Sequence, residues 1–179
     1  TGAYIDYWAT AMPDGKCLFL DFDGVLHPSF GRPGDFFGRM PLLEAALREV
    51  EVDIVISSSW RFHHAWADLL QRFPPSLKGR VRGCTGEPVT GSLARWNEIR
   101  QYRERHGVIG DWRALDDSAF AFPKGCAELV LCDAKTGMTG RDVQVLRGHP
   151  ADPRDLVAQR VDRTPDGLAD GLRELGRDE

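Results

Sequence analysis

The ten residues Cys17-Leu18-Phe19-Leu20-Asp21-Phe22-Asp23-Gly24-Val25-Leu26 decide the fold. Four consecutive apolar side chains leave no polar face, so the segment reads as a strand buried on both sides, the habit of parallel sheets covered by helices. It runs straight into two carboxylates two residues apart and a glycine at which the chain can turn. An apolar strand delivers Asp21 with little freedom, as a nucleophile or a metal ligand requires. Asp23 can then give a proton to a leaving oxygen as general acid. A solvated Asp-x-Asp-Gly turn looks the same in isolation, because short motifs match by chance. The rest of the chain decides between the two.

Working outward, residues 28–39 carry two prolines and three glycines and read as a loop. Pro41 opens a helix at a favoured early position, with Leu42, Leu43, Ala46, Leu47 and Val50 at helical spacing. Val52 to Ile56 is a second apolar strand, ending in Ser57-Ser58-Ser59-Trp60. From Arg61 a helix is expected with Phe62, Trp66, Leu69, Leu70 and Phe73 on one face, stopped by Pro74-Pro75. His63 and His64 then fall on its surface, since adjacent positions diverge around a helix. A weaker strand covers Arg80 to Cys84. Ser92 is a good cap for a helix running to about Arg105. Trp112 to Leu115 is a strand that leads into Asp116-Asp117, and Leu129 to Cys132 is the last strand, followed by a loop containing Thr136-Gly137-Met138-Thr139-Gly140. This alternation predicts an α/β fold, a mostly parallel sheet of about five strands with helices on both faces. In such a sheet ligands sit at the carboxyl ends of the strands. Three strands end there in polar chemistry, Asp21/Asp23, Ser57/Ser58 and Asp116/Asp117. That coincidence favours a site over a solvated turn.

Composition sets limits. With 179 residues and 42% hydrophobic content the chain can bury a core without staples. Residues 1–150 read as that core, with 1–16 as a lead-in. Residues 151–179, rich in Pro, Asp and Gly, read as an extension with a short helical patch near Leu168 to Leu175. A net charge of −4 excludes a wholly basic nucleic-acid binder but not a local basic face. Residues 72–105 hold eight Lys or Arg against three Glu, a stretch that would attract a polyanion if it folded beside the site. No run of 18 apolar residues exists to span a membrane, and the first residues lack a signal-peptide pattern, so a cytoplasmic location is expected. The four cysteines form no Cys-x-x-Cys pair and read as buried thiols rather than a zinc site.

Leu18 to Leu26 resembles motif I of the haloacid dehalogenase (HAD) superfamily, an apolar strand followed by Asp-x-Asp-Gly. Ile54-Val55-Ile56-Ser57-Ser58 is similar to its motif II, and Ala114-Leu115-Asp116-Asp117 to its motif IV. Within the superfamily, the Ser-Ser-Trp-Arg ending and the helix from Arg95 to Glu98 resemble the small HAD domains of bacterial multidomain RNA-repair proteins. The resemblance covers roughly residues 16–147. It implies a Rossmann-like core and a phosphatase in which Asp21 forms an aspartyl-phosphate and Asp23 is the acid and base. It further implies Mg2+ held by Asp21, the Asp23 carbonyl and Asp116 or Asp117, with Ser58 in preference to Ser57 donating to a phosphoryl oxygen. Trp60, Arg61 and Gly24 are expected near substrate. The motif III lysine of the superfamily is missing; Arg95, 21 residues before Asp116, takes the basic role in this reading. No large cap separates the motifs, so the site is expected to be open to a large phosphorylated substrate such as a nucleic-acid end. A phosphoprotein phosphatase and a non-catalytic HAD-fold binding module are the alternatives.

Overall fold

The computed structural model describes residues 15–148, so the expectations for the lead-in before residue 15 and for the 151–179 extension lie outside the described residues. In chain order the elements are β1 (Cys17–Leu20), a 3-10 turn (Pro33–Asp35), α1 (Met40–Leu47), β2 (Asp53–Ile56) and a 3-10 turn (Ser59–Phe62). They continue with α2 (Trp66–Gln71), α3 (Pro75–Lys78), β3 (Val81–Cys84), α4 (Ala94–His106), β4 (Trp112–Asp116), a 3-10 turn (Ala119–Ala121), β5 (Leu129–Leu131) and α5 (Gly140–Leu146). The five strands form one parallel sheet in the order β3-β2-β1-β4-β5. β1 is central and pairs with β2 on one side and β4 on the other, with Leu20 opposite both Ile56 and Leu115. The chain steps outward through β2 and β3, then crosses β1 to lay down β4. The reversal opens a crevice between the carboxyl ends of β1 and β4.

Side-chain alternation divides the core into two layers. Leu18, Leu20, Ile54, Ile56 and Leu115 face α1, α2, α3 and α5, where Leu43, Ala46, Leu69, Leu77 and Val143 cover them. Cys17, Phe19, Val55 and Ala114 face α4, which supplies Ile99 and Tyr102. Phe19 lies edge-on to both Tyr102 and Trp112, with ring centroids 5.7 Å apart in each case. Burial on both faces is why β1 carries no polar residue until its end.

Two expectations need correction. The helix expected from Arg61 is broken: Ser58 Oγ accepts from the Trp60 amide and starts a 3-10 turn, and Ala65 is extended before α2 begins. The tighter turn shifts the period, so Phe62 leaves the core face and is 38% exposed. Pro74 is extended and closes the stretch as expected, α2 having ended at Gln71; Pro75 then opens the short α3, where its missing N–H costs nothing. The cap of α4 is Leu93, in the left-handed region at φ 61°, and not Ser92. α5 follows the loop of Thr136 to Gly140, where the sequence predicts no helix. It is fixed by a capping box in which Thr139 and Asp142 exchange hydrogen bonds.

Candidate active site

Asp21 sits one residue past β1, and its amide continues the ladder by donating to Leu115 O. Its carboxylate is aimed by its neighbours: Oδ1 accepts from the Phe22 amide at 2.7 Å and Oδ2 from Arg95 Nη2 at 3.3 Å. Asp116 ends β4. Its Oδ1 accepts from the Ser118 amide at 2.9 Å and its Oδ2 from Arg95 Nε at 3.1 Å. Asp117 follows, with Oδ2 accepting from Ser29 Oγ at 2.7 Å. Gly24 adopts φ +68°, and a Cβ there would run into the Asp117 carboxylate. Only glycine allows the two strand-end turns to come this close.

Arg95 enters from the first turn of α4, whose amino end lies at this edge because the following strand must run parallel. Its three nitrogens go to three carboxylates: Nε to Asp116, Nη2 to Asp21 and Nη1 to Glu98 at 3.1 Å. Burial works against the Arg95 cation, but Asp21, Asp116 and Glu98 outweigh it and raise its pKa. The acids are disturbed in the other sense. Burial, helped by Asp117, raises Asp21 against the pull of Arg95, the Phe22 amide and the Ser58 hydroxyl. Burial and the Asp21 charge push Asp116 up to about 7.

Asp21, Asp116 and Asp117 each offer an oxygen within 4.8 Å of the other two. With Glu98 paired to Arg61, these three carboxylates are set against the Arg95 cation, an imbalance of two negative charges when all are ionised. Hard oxygen donors in that number and balance fit a divalent cation such as Mg2+.

Asp23 is set apart from this cluster, and its side chain is 42% exposed. Oδ2 accepts from the Trp60 indole N–H at 3.0 Å, and Oδ1 lies 3.0 Å from His27 Nε2. Trp60, expected near substrate, is therefore bonded to the second carboxylate of the motif. Ser57 and Ser58 are both buried. Ser58 is turned toward Asp21 and Trp60, whereas Ser57 Oγ and Thr85 Oγ1 have no hydrogen-bond partner among the described residues.

Arg61, expected near substrate, is turned inward and bonded to protein groups. It is 6% exposed, and its donors go to Gly86 O, Ser58 O and Glu98 Oε2 at 3.1, 2.7 and 2.8 Å. It braces the loop after β2. Glu98 joins Arg61 to Arg95 and also accepts from the Val89 amide. Glu98, His27 and Ser29 were not assigned these contacts from sequence. The available signals were the Arg95–Glu98 spacing of one helical turn and the four-residue spacing of Asp23 and His27, both too common to stand alone.

The basic stretch is not one face. Arg80 donates to Leu47 O and Val50 O, and Arg82 pairs with Asp53 at the start of β2, on the edge opposite the site. Arg103 lies over Trp112. Of the stretch, Arg95 enters the site and Arg72 lies over Phe37 and Trp60 beside it. The glycine loop after β5 is also used internally: the Met138 amide donates to Val25 O, and a Cβ on Gly137 would stand 2.8 Å from that oxygen. His64 stacks on Trp60 at 4.7 Å rather than lying on an open helix surface. The four cysteines are free, and burial pushes Cys17 and Cys84 up to about 12, where a thiol is inert. Among the described residues, no helix is long and apolar enough to cross a membrane.

A parallel sheet of this order, with acids at the tips of β1 and β4 and an arginine between them, defines a HAD-type α/β core. The model of the family described as the HAD domain in Swiss Army Knife RNA repair proteins matches residues 17–143. The chain belongs to that family. No curated protein and no solved structure matches it.

Proposed function

We propose that this domain is a Mg2+-dependent phosphohydrolase that works through an aspartyl-phosphate on Asp21 and takes a phosphorylated nucleic-acid end or nucleotide. The observation that carries the reading is the Arg95 fork, which ties Asp21 to Asp116 at the switch point of the sheet. An Asp21 oxygen attacks phosphorus, the bond to the leaving oxygen breaks, and Asp23 gives that oxygen its proton. A water that yields its proton to Asp23 then attacks the phosphorus of the acyl phosphate, freeing phosphate and Asp21. A cation held by Asp21, the Asp23 carbonyl and Asp116 or Asp117 would offset the charge of the phosphoryl group. Asp116 and Asp117 each offer an oxygen to the cluster with Asp21. Arg95 keeps further N–H groups with which a guanidinium can grip a phosphoryl oxygen.

Two facts support a large substrate. The 34 residues between Asp23 and Ser58 hold α1 and leave no room for a cap domain. The family is described from RNA-repair proteins. We place the domain in the cytoplasm, where its free thiols stay reduced. The test is a Mg2+-supplemented hydrolysis panel of RNA and DNA ends bearing 3′- or 5′-phosphates, nucleotides, sugar phosphates and phosphopeptides. Turnover strongest on nucleic-acid ends or nucleotides is expected. Preference for phosphopeptides would replace this substrate class, and no turnover on any member would favour a binding module.

A further inference from the structure

We propose that His27 and Trp60 are positioning residues for Asp23, a pair of fixed N–H donors that holds its carboxyl group toward the leaving oxygen. The inference rests on the phosphohydrolase reading and deepens it. Each Asp23 oxygen has its own partner, Trp60 Nε1 on Oδ2 and His27 Nε2 on Oδ1, both at 3.0 Å. The Phe37 amide donates to His27 Nδ1 at 3.4 Å. That makes Nδ1 an acceptor, so the ring proton of neutral His27 sits on Nε2, where it faces Asp23.

Neither donor is free to swing. His27 is 1% exposed and packs against Phe36, Phe37 and Trp60 at centroid distances of 4.8, 5.4 and 5.7 Å. Trp60 is stacked on His64 and held edge-on by Phe22, Phe36 and Phe37. Asp23, by contrast, is part-exposed and stands just before the turn that Gly24 opens, so its side chain would otherwise sample several rotamers. A general acid acts only from hydrogen-bond reach of the atom it protonates. Two donors on separate oxygens fix both the direction and the plane of the carboxyl group. Packing alone would explain an aromatic cluster, but it does not require that both ring N–H groups end on the same carboxylate.

The test uses leaving-group dependence, which a packing role does not move. Protonation matters most when the leaving oxygen is strongly basic. Values of kcat/KM are measured with Mg2+ for an alkyl phosphate and for p-nitrophenyl phosphate, using wild type, Trp60→Phe, His27→Phe, His27→Gln and Asp23→Asn. Trp60→Phe and His27→Phe keep ring bulk and lose the donor. Each is expected to lose about tenfold to a hundredfold more on the alkyl phosphate than on p-nitrophenyl phosphate, a part of the 10²–10⁴ that the acid–base group itself contributes. His27→Gln, which returns an amide N–H, is expected to recover most of that loss. In the Asp23→Asn background Trp60→Phe is expected to add little, because the two act as one unit. Equal losses on the two substrates, no loss, or a full additional loss in the Asp23→Asn background would overturn the proposal while wild-type turnover stands. Should wild type turn over neither ester, the same variants are compared on its best substrate from the hydrolysis panel. There Trp60→Phe and His27→Phe are expected to lose kcat and His27→Gln to recover it, and unchanged kcat overturns the proposal. A wild type inactive on every panel member overturns the phosphohydrolase reading, and this inference with it.

Discussion

At the scale of single residues, the site depends on charges that cannot be removed one at a time. Arg61 and Glu98 are both buried and bonded to each other at 2.8 Å. Burial lowers the pKa of Arg61 and Glu98 only partly restores it. Glu98→Ala is therefore expected to destabilise the fold by about 3–5 kcal/mol, the usual cost of leaving a buried ion without its partner. Urea unfolding measures this, and a loss below about 1 kcal/mol would contradict the brace. Gly24→Ala is expected to be damaging for a different reason. It combines a left-handed φ with a collision against Asp117, so it strains the turn and displaces the proposed cation ligand together. Titrating Mg2+ against the variant, with thermal shift as the readout, should show weakened binding; unchanged affinity would contradict the placement of Asp117. Asp21, Asp23, Asp116 and Asp117 were legible in the sequence because each follows an apolar strand, and strand ends in a parallel sheet converge. Glu98 and His27 were not, since a polar residue within a polar helix or beside a loop carries no sign that it is buried.

At the scale of elements, β1, β2 and β4 were read correctly within a residue or so because continuous apolar runs admit few other readings. The helices were harder. In α4 the sequence ARWNEIRQYRERH is mostly polar, yet it buries Glu98 among Ile99 and Tyr102, since the carboxylate is matched by two arginines. α5, with the sequence GRDVQVL, is too short and too weakly periodic to announce itself; its support is packing on α1 and β5. The break after β2 is hidden in the sequence because Ser58 stands at a strand end, where a serine that caps a turn looks the same as one that serves a site. The start of α4 carries its own prediction. Leu93 holds a left-handed conformation that costs a branched side chain about 1–2 kcal/mol and that asparagine tolerates. Leu93→Asn is expected to raise stability by about 1 kcal/mol, seen as a higher Tm. A lower Tm would mean that the Leu93 side chain contributes more by packing than its backbone costs.

At the scale of the whole molecule, the crevice stores repulsion that the rest of the fold offsets. With burial raising Asp21 and lifting Asp116 to about 7, the folded state retains protons that the unfolded chain has already released above its ordinary carboxylate value near 3.8. This pair therefore contributes stability that falls as pH rises from about 4 to about 7 in metal-free protein. Adding Mg2+ at neutral pH is expected to reverse the loss, by about 2.7 kcal/mol at a hundred times its Kd. Tm measured across that pH range with Mg2+ and with chelator checks both signs, and a Tm indifferent to Mg2+ would contradict the cation site. The central claim is that Asp21 is the phosphorylated nucleophile. Its most direct test is acid quenching of a rapid reaction between enzyme and its best substrate, followed by peptide mass spectrometry. The account predicts a phosphoryl group on Asp21, absent from Asp21→Asn, which does not turn over. Turnover by Asp21→Asn, or phosphorylation at another residue, would contradict it.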